Sequence, residues 1–301
     1  MTHSQVRSDS ASGNFQGMVW IVGACALFAL NFTLIRKLGA DFHAFELVFF
    51  RNLFGFLFLI PFLVRSGRRG LIPRRPGLMV MRGVVQTFAL LFWYFSLIVT
   101  PFAMAISLSL LEPIFASIIA ITVLREKSNL TRWMVVIIGL AGSLIIIRPG
   151  FLAVSVGALS ALAAALFWGV FLIIGKVQTR TDTVISVVAY PTLLVVPLAL
   201  IPASFVWTWP SPEQYFWLFL TGALSSVGGL MYAKAYQVGD VTAVAPLSYS
   251  RLLFGALVGF LFFAEVPEIW VWVGGAMIMG AGIYLGRNEA RLAAQASGEK
   301  A

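Results

Sequence analysis

The feature that most constrains this chain is a series of ten apolar stretches, most of them close to 20 residues long. A helix needs about 20 mostly apolar residues to cross the hydrocarbon of a bilayer. We therefore predict an all-α polytopic membrane protein with ten transmembrane helices. In chain order the predicted spans are Gly17–Ile35, His43–Val64, Leu78–Leu97, Ala103–Leu124, Arg132–Ile147, Val156–Ile174, Val184–Ser204, Tyr215–Tyr236, Thr242–Phe263 and Ile269–Leu285.

The composition excludes several classes of protein. Apolar residues make up 60% of the 301 residues and charged residues 11%, whereas a soluble globular protein averages roughly a quarter charged. A soluble enzyme, a nucleic-acid-binding domain and a disordered protein are thereby excluded. One cysteine and two histidines do not suffice for an internal disulfide or for a Cys- or His-rich metal cluster. We expect no metal and no cofactor.

The positive charges predict the orientation. Apart from Arg51 and Arg251, sixteen Lys and Arg residues fall on the side of the N-terminus (side A), and three fall on the other side (side B): Arg36, Lys37 and Arg148. Such an excess marks the cytoplasmic face. We expect an inner (plasma) membrane protein with both termini cytoplasmic. The tails are 1–16 and 287–301, of which 1–16 and 289–301 are polar and expected to be disordered. Lys234 and Arg82, near side A, are expected to extend to lipid headgroups.

An internal repeat appears at an offset of 139 residues. Residues 26–37 and 165–176 match at six of twelve positions, and the same register pairs Gly83 with Gly222. The halves, 17–148 and 156–286, hold five predicted spans each. Because five is odd, the second half begins on the opposite side of the membrane. Inverted repeats of this kind are typical of secondary transporters with a binding site between the halves.

Several short stretches carry a resemblance to a known family. They are Phe50-Arg51-Asn52, Arg82-Gly83, Ala245-Pro246-Leu247, and the repeat mates Glu126 and Glu265 at the ends of spans 4 and 9. With ten spans in two repeats, the chain resembles the EamA family of the drug/metabolite transporter superfamily over about Gly17–Gly286. That family usually has Gly before each of the two Glu residues, where this chain has Arg125 and Ala264. The resemblance implies a carrier, since the family includes exporters of amino acids and other metabolites and also some importers.

Three ionisable residues fall near the bilayer midplane. Glu112 and Arg251 are repeat mates, each nine residues and roughly 13 Å into its span, and Arg51 is eight residues into span 2. Charges at this depth usually face a cavity or a partner. The arginines would then hold an anionic group of a substrate, and Glu112 would bind an amino group or carry a proton. Alternatively, the three form a buried ion pair or triad that locks the halves together.

Prolines and aromatic residues complete the candidate site. Pro113 and Pro246 each lack an N–H and free a helical carbonyl, which marks a binding site or a packing kink. Buried Tyr and Trp suit an amphipathic ligand, although many aromatic residues pack helices or face lipid. The aromatic candidates are Trp93, Tyr94, Trp168, Tyr232 and Tyr249.

The predicted function is therefore secondary-active or facilitative transport by alternating access. The expected substrate is a small polar or zwitterionic metabolite, such as an amino acid or a derivative, and the resemblance favours export. Uptake of a vitamin or nucleoside-like cofactor, or a non-transporting receptor or scaffold, are the alternatives. No catalytic constellation and no phosphate-binding loop appear in the sequence, so we expect no enzyme. The partners are the substrate and the bilayer, with a homodimer left open by the small residues of span 10.

Overall fold

The computed structural model describes residues 3–67, 74–122, 130–148, 155–178, 182–238 and 245–298. All the regular structure in these ranges is helical, as predicted. The helices are α1 (His3–Leu38), α2 (Ala44–Arg65), α3 (Pro76–Val99), α4 (Phe102–Ser109), α5 (Glu112–Thr122), α6 (Leu130–Ile147), α7 (Val156–Gln178), α8 (Val184–Ala203), α9 (Pro212–Val238), a 3₁₀ helix (Ala245–Tyr249), α10 (Ser250–Phe263) and α11 (Ile269–Gly298).

Six of these helices are long and apolar enough to cross a membrane: α1, α2, α3, α7, α8 and α9. The remaining apolar helices are shorter, in part because predicted spans 4 and 9 are interrupted. Span 4 is divided into α4 and α5, and span 9 begins with the 3₁₀ helix before α10. The protein is thus a polytopic membrane protein with two interrupted spans at repeat-equivalent positions.

The helices extend beyond the predicted spans at both ends of the chain. α1 begins at His3 and α11 reaches Gly298, although the sequence predicted disordered segments at 1–16 and 289–301. Adding a residue to an existing helix forms a hydrogen bond without repeating the unfavourable nucleation step. The polar residues beside each span continue its helix for this reason.

Helix packing follows the inverted repeat. α1 packs along α9, and the repeat counterpart of that contact is α7 along α3. Likewise α2 lies on α9 while α8 lies on α3. Helices α2 and α8 contact each other, as do α6 and α11, and both pairs are repeat mates. The halves therefore interlock about a pseudo-two-fold axis instead of forming two separate bundles.

A glycine allows the closest of the contacts between α2 and α9. A Cβ atom on Gly222 would lie 2.6 Å from the Gly55 nitrogen and 2.9 Å from the Arg51 carbonyl oxygen. Real Cβ atoms do not approach backbone so closely, so the α2–α9 packing beside Arg51 requires glycine at this position. The repeat mate, Gly83, packs in the same way against Leu194.

Arg82 lies inside the bundle, where the sequence predicted a side chain that reaches lipid headgroups. It is 8% exposed, and its Nη1 donates to Gln178 Oε1 at 3.1 Å and to the Val187 carbonyl at 3.0 Å. Its guanidinium lies 4.0 Å from the Phe171 ring centroid. The prediction for Arg82 is wrong because acceptors on α7 and α8, together with an aromatic face, are closer than the headgroups. Lys234, by contrast, is exposed.

Candidate functional site

Glu112 is positioned by the interruption of span 4. The Leu110 and Leu111 N–H groups donate to Ser107 and Leu108, and the helix restarts at Glu112. Pro113 has no N–H to donate to the Ser109 carbonyl. The carboxylate therefore lies in the first turn of α5, where the N-terminal end of the helix dipole favours a negative charge.

Arg251 is positioned by the equivalent junction in the second half. The 3₁₀ helix that contains Pro246 ends at Tyr249, and α10 begins at Ser250. In the repeat register, Tyr249 and Ser250 correspond to Leu110 and Leu111. Each half thus places one charged residue in the first turn of the α-helix that follows the junction, and the two charges are opposite.

Glu112 and Arg251 meet across the interface between the halves. Arg251 Nη2 lies 3.7 Å from Glu112 Oε2, and the side chains keep 20% and 14% of their accessible surface. A good N–H···O hydrogen bond is 2.7–3.2 Å long, so this ion pair is loose, and Arg251 Nε has no hydrogen-bond partner. Cys25 and Tyr232 lie within electrostatic range of the guanidinium. The pair is partly accessible, and neither charge is held by a short hydrogen bond to the other.

Gly169 of α7 packs directly on the first turn of α5. A Cβ atom there would lie 2.9 Å from the Ala116 nitrogen and 3.1 Å from the Glu112 carbonyl oxygen. The glycine lets α7 support the turn that carries Glu112. Its neighbour Trp168, a predicted site residue, packs edge-on against Phe171 at 5.1 Å and is partly buried against the main core.

Arg51 does not join the ion pair, so of the two predicted arrangements, an ion pair or a triad, the described residues form the ion pair. Its Nη1 donates to the neighbouring Asn52 Oδ1 at 3.0 Å, and its Nε has no partner. Among the residues that the structure describes, no carboxylate lies within salt-bridge distance of Arg51. Tyr94 is fully buried and lies within electrostatic range of Arg51.

The remaining aromatic candidates fall into two groups. Trp93 packs edge-on against Phe32 at 5.2 Å, and its repeat mate Tyr232 lies 6.4 Å from Phe28. Because Phe28 and Phe32 stack on each other at 6.1 Å, these four rings form one aromatic wall. Tyr249 is buried and within electrostatic range of Arg251.

A cluster of an ion pair, an aromatic ring and a helix cap lies at the side B end, and it was not predicted from the sequence. Arg36 of α1 forms an ion pair with Glu265, and its guanidinium lies 4.6 Å from the Phe263 ring centroid. The other Glu265 oxygen accepts from the Phe102 N–H at 2.7 Å, at the start of α4. Sequence reasoning used Glu265 only as a repeat marker. Its repeat mate Glu126 lies outside the described residues.

Glu46 makes a second connection at the same end. It is fully buried and accepts from the Thr208 N–H at 2.6 Å and from the His43 N–H at 2.9 Å. These bonds fix the α8–α9 loop to the first turn of α2. The side B end is therefore held by carboxylates that accept from backbone N–H groups.

An apolar groove of about 620 Å³ lies apart from the charged residues described above. It runs between α2, α3 and α7 and is lined by residues such as Phe45, Phe88, Phe92 and Leu159. None of the predicted site residues lines it. Its composition and position suit a lipid tail, whereas the charged pair lies inside the bundle.

The chain matches known transporters over most of its length. A family model described as the EamA-like transporter family matches residues 15–148 and 155–286. An S-adenosylmethionine uptake transporter of Rickettsia prowazekii is 27% identical over 278 residues, which cover 92% of this chain and 95% of that protein. A riboflavin transporter of Brucella anthropi is 30% identical, with coverage of 89% and 98%.

Two further similar proteins are an exporter and a solved structure. A pseudopaline exporter of Pseudomonas aeruginosa is 27% identical over 91% of this chain and 96% of its own. A solved crystal structure superposes with a TM-score of 0.65 over 94% of this chain and 99% of its own, at 17% identity, which is evidence for the fold alone. The two matched repeats confirm the family that the sequence predicted: the chain belongs to the EamA-like transporter family.

Proposed function

We propose that this protein is an alternating-access carrier for a zwitterionic metabolite with an α-amino acid group, and that S-adenosylmethionine is the first candidate. The observation that carries the proposal is the loose Glu112–Arg251 pair, 3.7 Å apart and partly accessible at the interface between the halves. An α-amino acid group carries one positive and one negative charge close together, so it complements this pair.

The binding step follows from charge complementarity. Arg251 presents a planar fork that binds a carboxylate through two parallel N–H groups. Glu112 accepts from the ammonium group. The ligand replaces one loose ion pair by two charge-assisted contacts, so neither protein charge is left unpaired inside the membrane.

The relatives support this substrate class. Rickettsial S-adenosylmethionine uptake transporters match the chain almost end to end. Because these relatives are uptake transporters, uptake is the first direction to test, whereas the pseudopaline exporter keeps export as the alternative. The excess of Lys and Arg on side A supports an inner-membrane location with cytoplasmic termini.

Riboflavin is the second candidate. The wall formed by Phe28, Phe32, Trp93 and Tyr232 offers stacking surface to an uncharged planar ring. Such a ligand would not need the charged pair. Sensitivity to substitution of Glu112 therefore separates the two candidates.

Counterflow into proteoliposomes tests the proposal. Purified protein is reconstituted with unlabelled compound inside, and uptake of labelled S-adenosylmethionine, riboflavin or an amino acid is followed. We expect saturable S-adenosylmethionine counterflow that Arg251→Lys weakens and Arg74→Lys leaves intact, since Arg74 is exposed on side A. Riboflavin counterflow alone would favour the second candidate. Folded protein without flux of any of these compounds would contradict the proposal and favour a receptor or scaffold.

A further inference from the structure

The apolar groove between α2, α3 and α7 begins at the side B end and extends into the membrane-spanning part of the protein. On α7 its lining residues recur every three or four positions from Val156 to Ala163, and on α3 they do so from Phe88 to Phe95. One face of each helix therefore forms one wall. Seven residues of helix rise about 10 Å, so the groove extends over about two thirds of one hydrocarbon leaflet, which is about 15 Å thick.

The groove is open to the lipid and has apolar walls. Large exposed side chains form its rim: Phe88, Phe92, Val156 and Leu159. Ser160 also lines it, but its hydroxyl donates to the Phe92 carbonyl at 2.8 Å and is therefore already paired. If the groove were empty, the atoms of its walls would lose their packing contacts. A hydrocarbon chain supplies those contacts without needing a polar partner.

A second recess, of about 180 Å³, adjoins the groove at the membrane surface. The two share His43, Ala44 and Phe95, and we call this shared part the mouth. His43 Nδ1 accepts from the Phe45 N–H at 3.3 Å, so the neutral ring carries its proton on Nε2. The mouth therefore has an N–H donor at the level of the lipid headgroups.

A cation lies close to the mouth in the sequence. Lys37 is exposed in the last turn of α1, two residues before Gly39, which lines the smaller recess. The carboxylate of Asp41 is held toward α9, because its Oδ2 accepts from Gln214 Nε2 at 3.1 Å. Lys37 thus adds a positive charge to the His43 donor, and a lipid phosphate complements both.

We propose that the groove and its mouth form a binding site for one phospholipid of the side B leaflet. One acyl chain fills the groove, and the phosphate binds His43 and Lys37. A single molecule of this kind accounts for both the apolar walls and the polar mouth. The site includes none of the residues that we propose for substrate binding, so the inference does not depend on the proposed function.

Native mass spectrometry of the full-length purified protein tests the site with two lipids that have identical acyl chains. Phosphatidylglycerol has the phosphate, and diacylglycerol lacks it. We expect the wild type to retain one phosphatidylglycerol and to bind diacylglycerol about tenfold more weakly, the effect of one lost charge-assisted contact. His43→Asp should remove that preference, because aspartate also caps a helix but repels the phosphate. Lys37→Gln should reduce it.

A matched pair of α7 variants tests the groove itself. Leu159 lines the groove, whereas Leu166 lies two turns farther along the same helix face and outside it, and both are exposed. Leu159→Trp should occupy the groove and weaken binding of both lipids about tenfold, as expected if about two methylene groups are displaced. Leu166→Trp should bind both lipids as the wild type does.

Equal phosphatidylglycerol binding by the wild type and Leu159→Trp would overturn the groove as the site. Equal binding of the two lipids by the wild type would overturn the role of the phosphate. A dimer that forms in the wild type and is lost in Leu159→Trp would instead assign the groove to a second copy of this chain. If Leu159→Trp does not fold, His43→Asp still decides the matter, because the His43 side chain is exposed and its replacement keeps the helix cap.

Discussion

Three ion pairs connect the halves within the part of the chain that the structure describes, and the two less exposed pairs differ in how closely their carboxylates are held. At side B, Arg36 and Glu265 form a tight pair, the second Glu265 oxygen caps α4, and Phe263 lies against the guanidinium. In the interior, Arg251 Nη2 and Glu112 Oε2 are 3.7 Å apart.

The difference suggests different roles. Both oxygens of Glu265 have close partners, Arg36 and the Phe102 N–H, so this carboxylate has little to gain from a ligand. The Glu112 carboxylate lies 3.7 Å from Arg251 and gains a closer partner when a ligand binds. We therefore assign the Arg36–Glu265 pair to closure of the side B end and the Glu112–Arg251 pair to substrate binding. The predictions below test that division.

The largest effect is expected from Glu112→Gln. The amide has the shape of the carboxylate but no charge, so the apparent affinity for a zwitterionic substrate should fall about 10- to 100-fold, as for loss of a charge-assisted bond. Counterflow at a series of substrate concentrations measures it, with protein abundance as the control. If Glu112→Gln still exchanges substrate but its transport no longer responds to a pH gradient, Glu112 is instead the residue that couples transport to protons.

Gly169→Ala should disturb the Glu112–Arg251 pair without changing either charge. The added methyl would lie 3.1 Å from the Glu112 carbonyl oxygen, so α5 must shift, and the apparent affinity should fall several-fold. Gly229→Ala is the matched control, since its Cβ would lie 3.8 Å from Val188, an ordinary contact. Equal counterflow by both alanine variants would contradict the supporting role of Gly169.

Glu265→Gln should change stability more than affinity. It removes the charge that pairs with Arg36, so the melting temperature in detergent should drop by a few degrees, the size expected for about 1 kcal/mol in a chain of this length. Substrate affinity should remain within about twofold of the wild type, because the interior pair is intact. A loss of affinity as large as that of Glu112→Gln would remove the distinction between the two pairs.

The smallest effect is expected from Glu268→Gln. This residue lies 3.4 Å from Arg148, with the two side chains 64% and 29% exposed. Exposed ion pairs contribute at most about 1 kcal/mol, so neither the melting temperature nor counterflow should change measurably. A clear loss of stability would mean that side B is held by more than the Arg36–Glu265 and Glu46 contacts.

Hydropathy and the repeat were sufficient to predict much of the architecture. Apolar length predicted the spans, and the constant offset of 139 residues aligned Glu112 with Arg251 before any contact between them was known. The pair forms because a pseudo-two-fold axis brings equivalent positions of the two halves together. Depth in the membrane identified these residues as candidates, because few charges are tolerated there.

Other contacts could not be predicted from depth alone. Arg82 was expected to reach headgroups, yet it bonds Gln178, because the azimuth of a side chain around its helix is not given by its position along the helix. The Arg36–Glu265 pair joins residues 229 positions apart. Asn31, which donates to Ser225 Oγ at 2.9 Å, was overlooked, although a lone amide in an apolar span is itself a signal of a buried polar contact.

Chemical modification of Cys25 tests the central claim most directly. Cys25 is the sole cysteine of the chain, and its thiol lies 3.5 Å from the Ser248 carbonyl, within electrostatic range of Arg251. Because Cys25 is 1% exposed, a small thiol reagent reaches it only when the bundle opens during transport. The rate of modification is first established in proteoliposomes without ligand and is then measured with S-adenosylmethionine. We predict that the substrate slows the reaction in the wild type and has no effect in Glu112→Gln. Unchanged modification of the wild type under conditions that give full counterflow would place the substrate elsewhere and contradict the account.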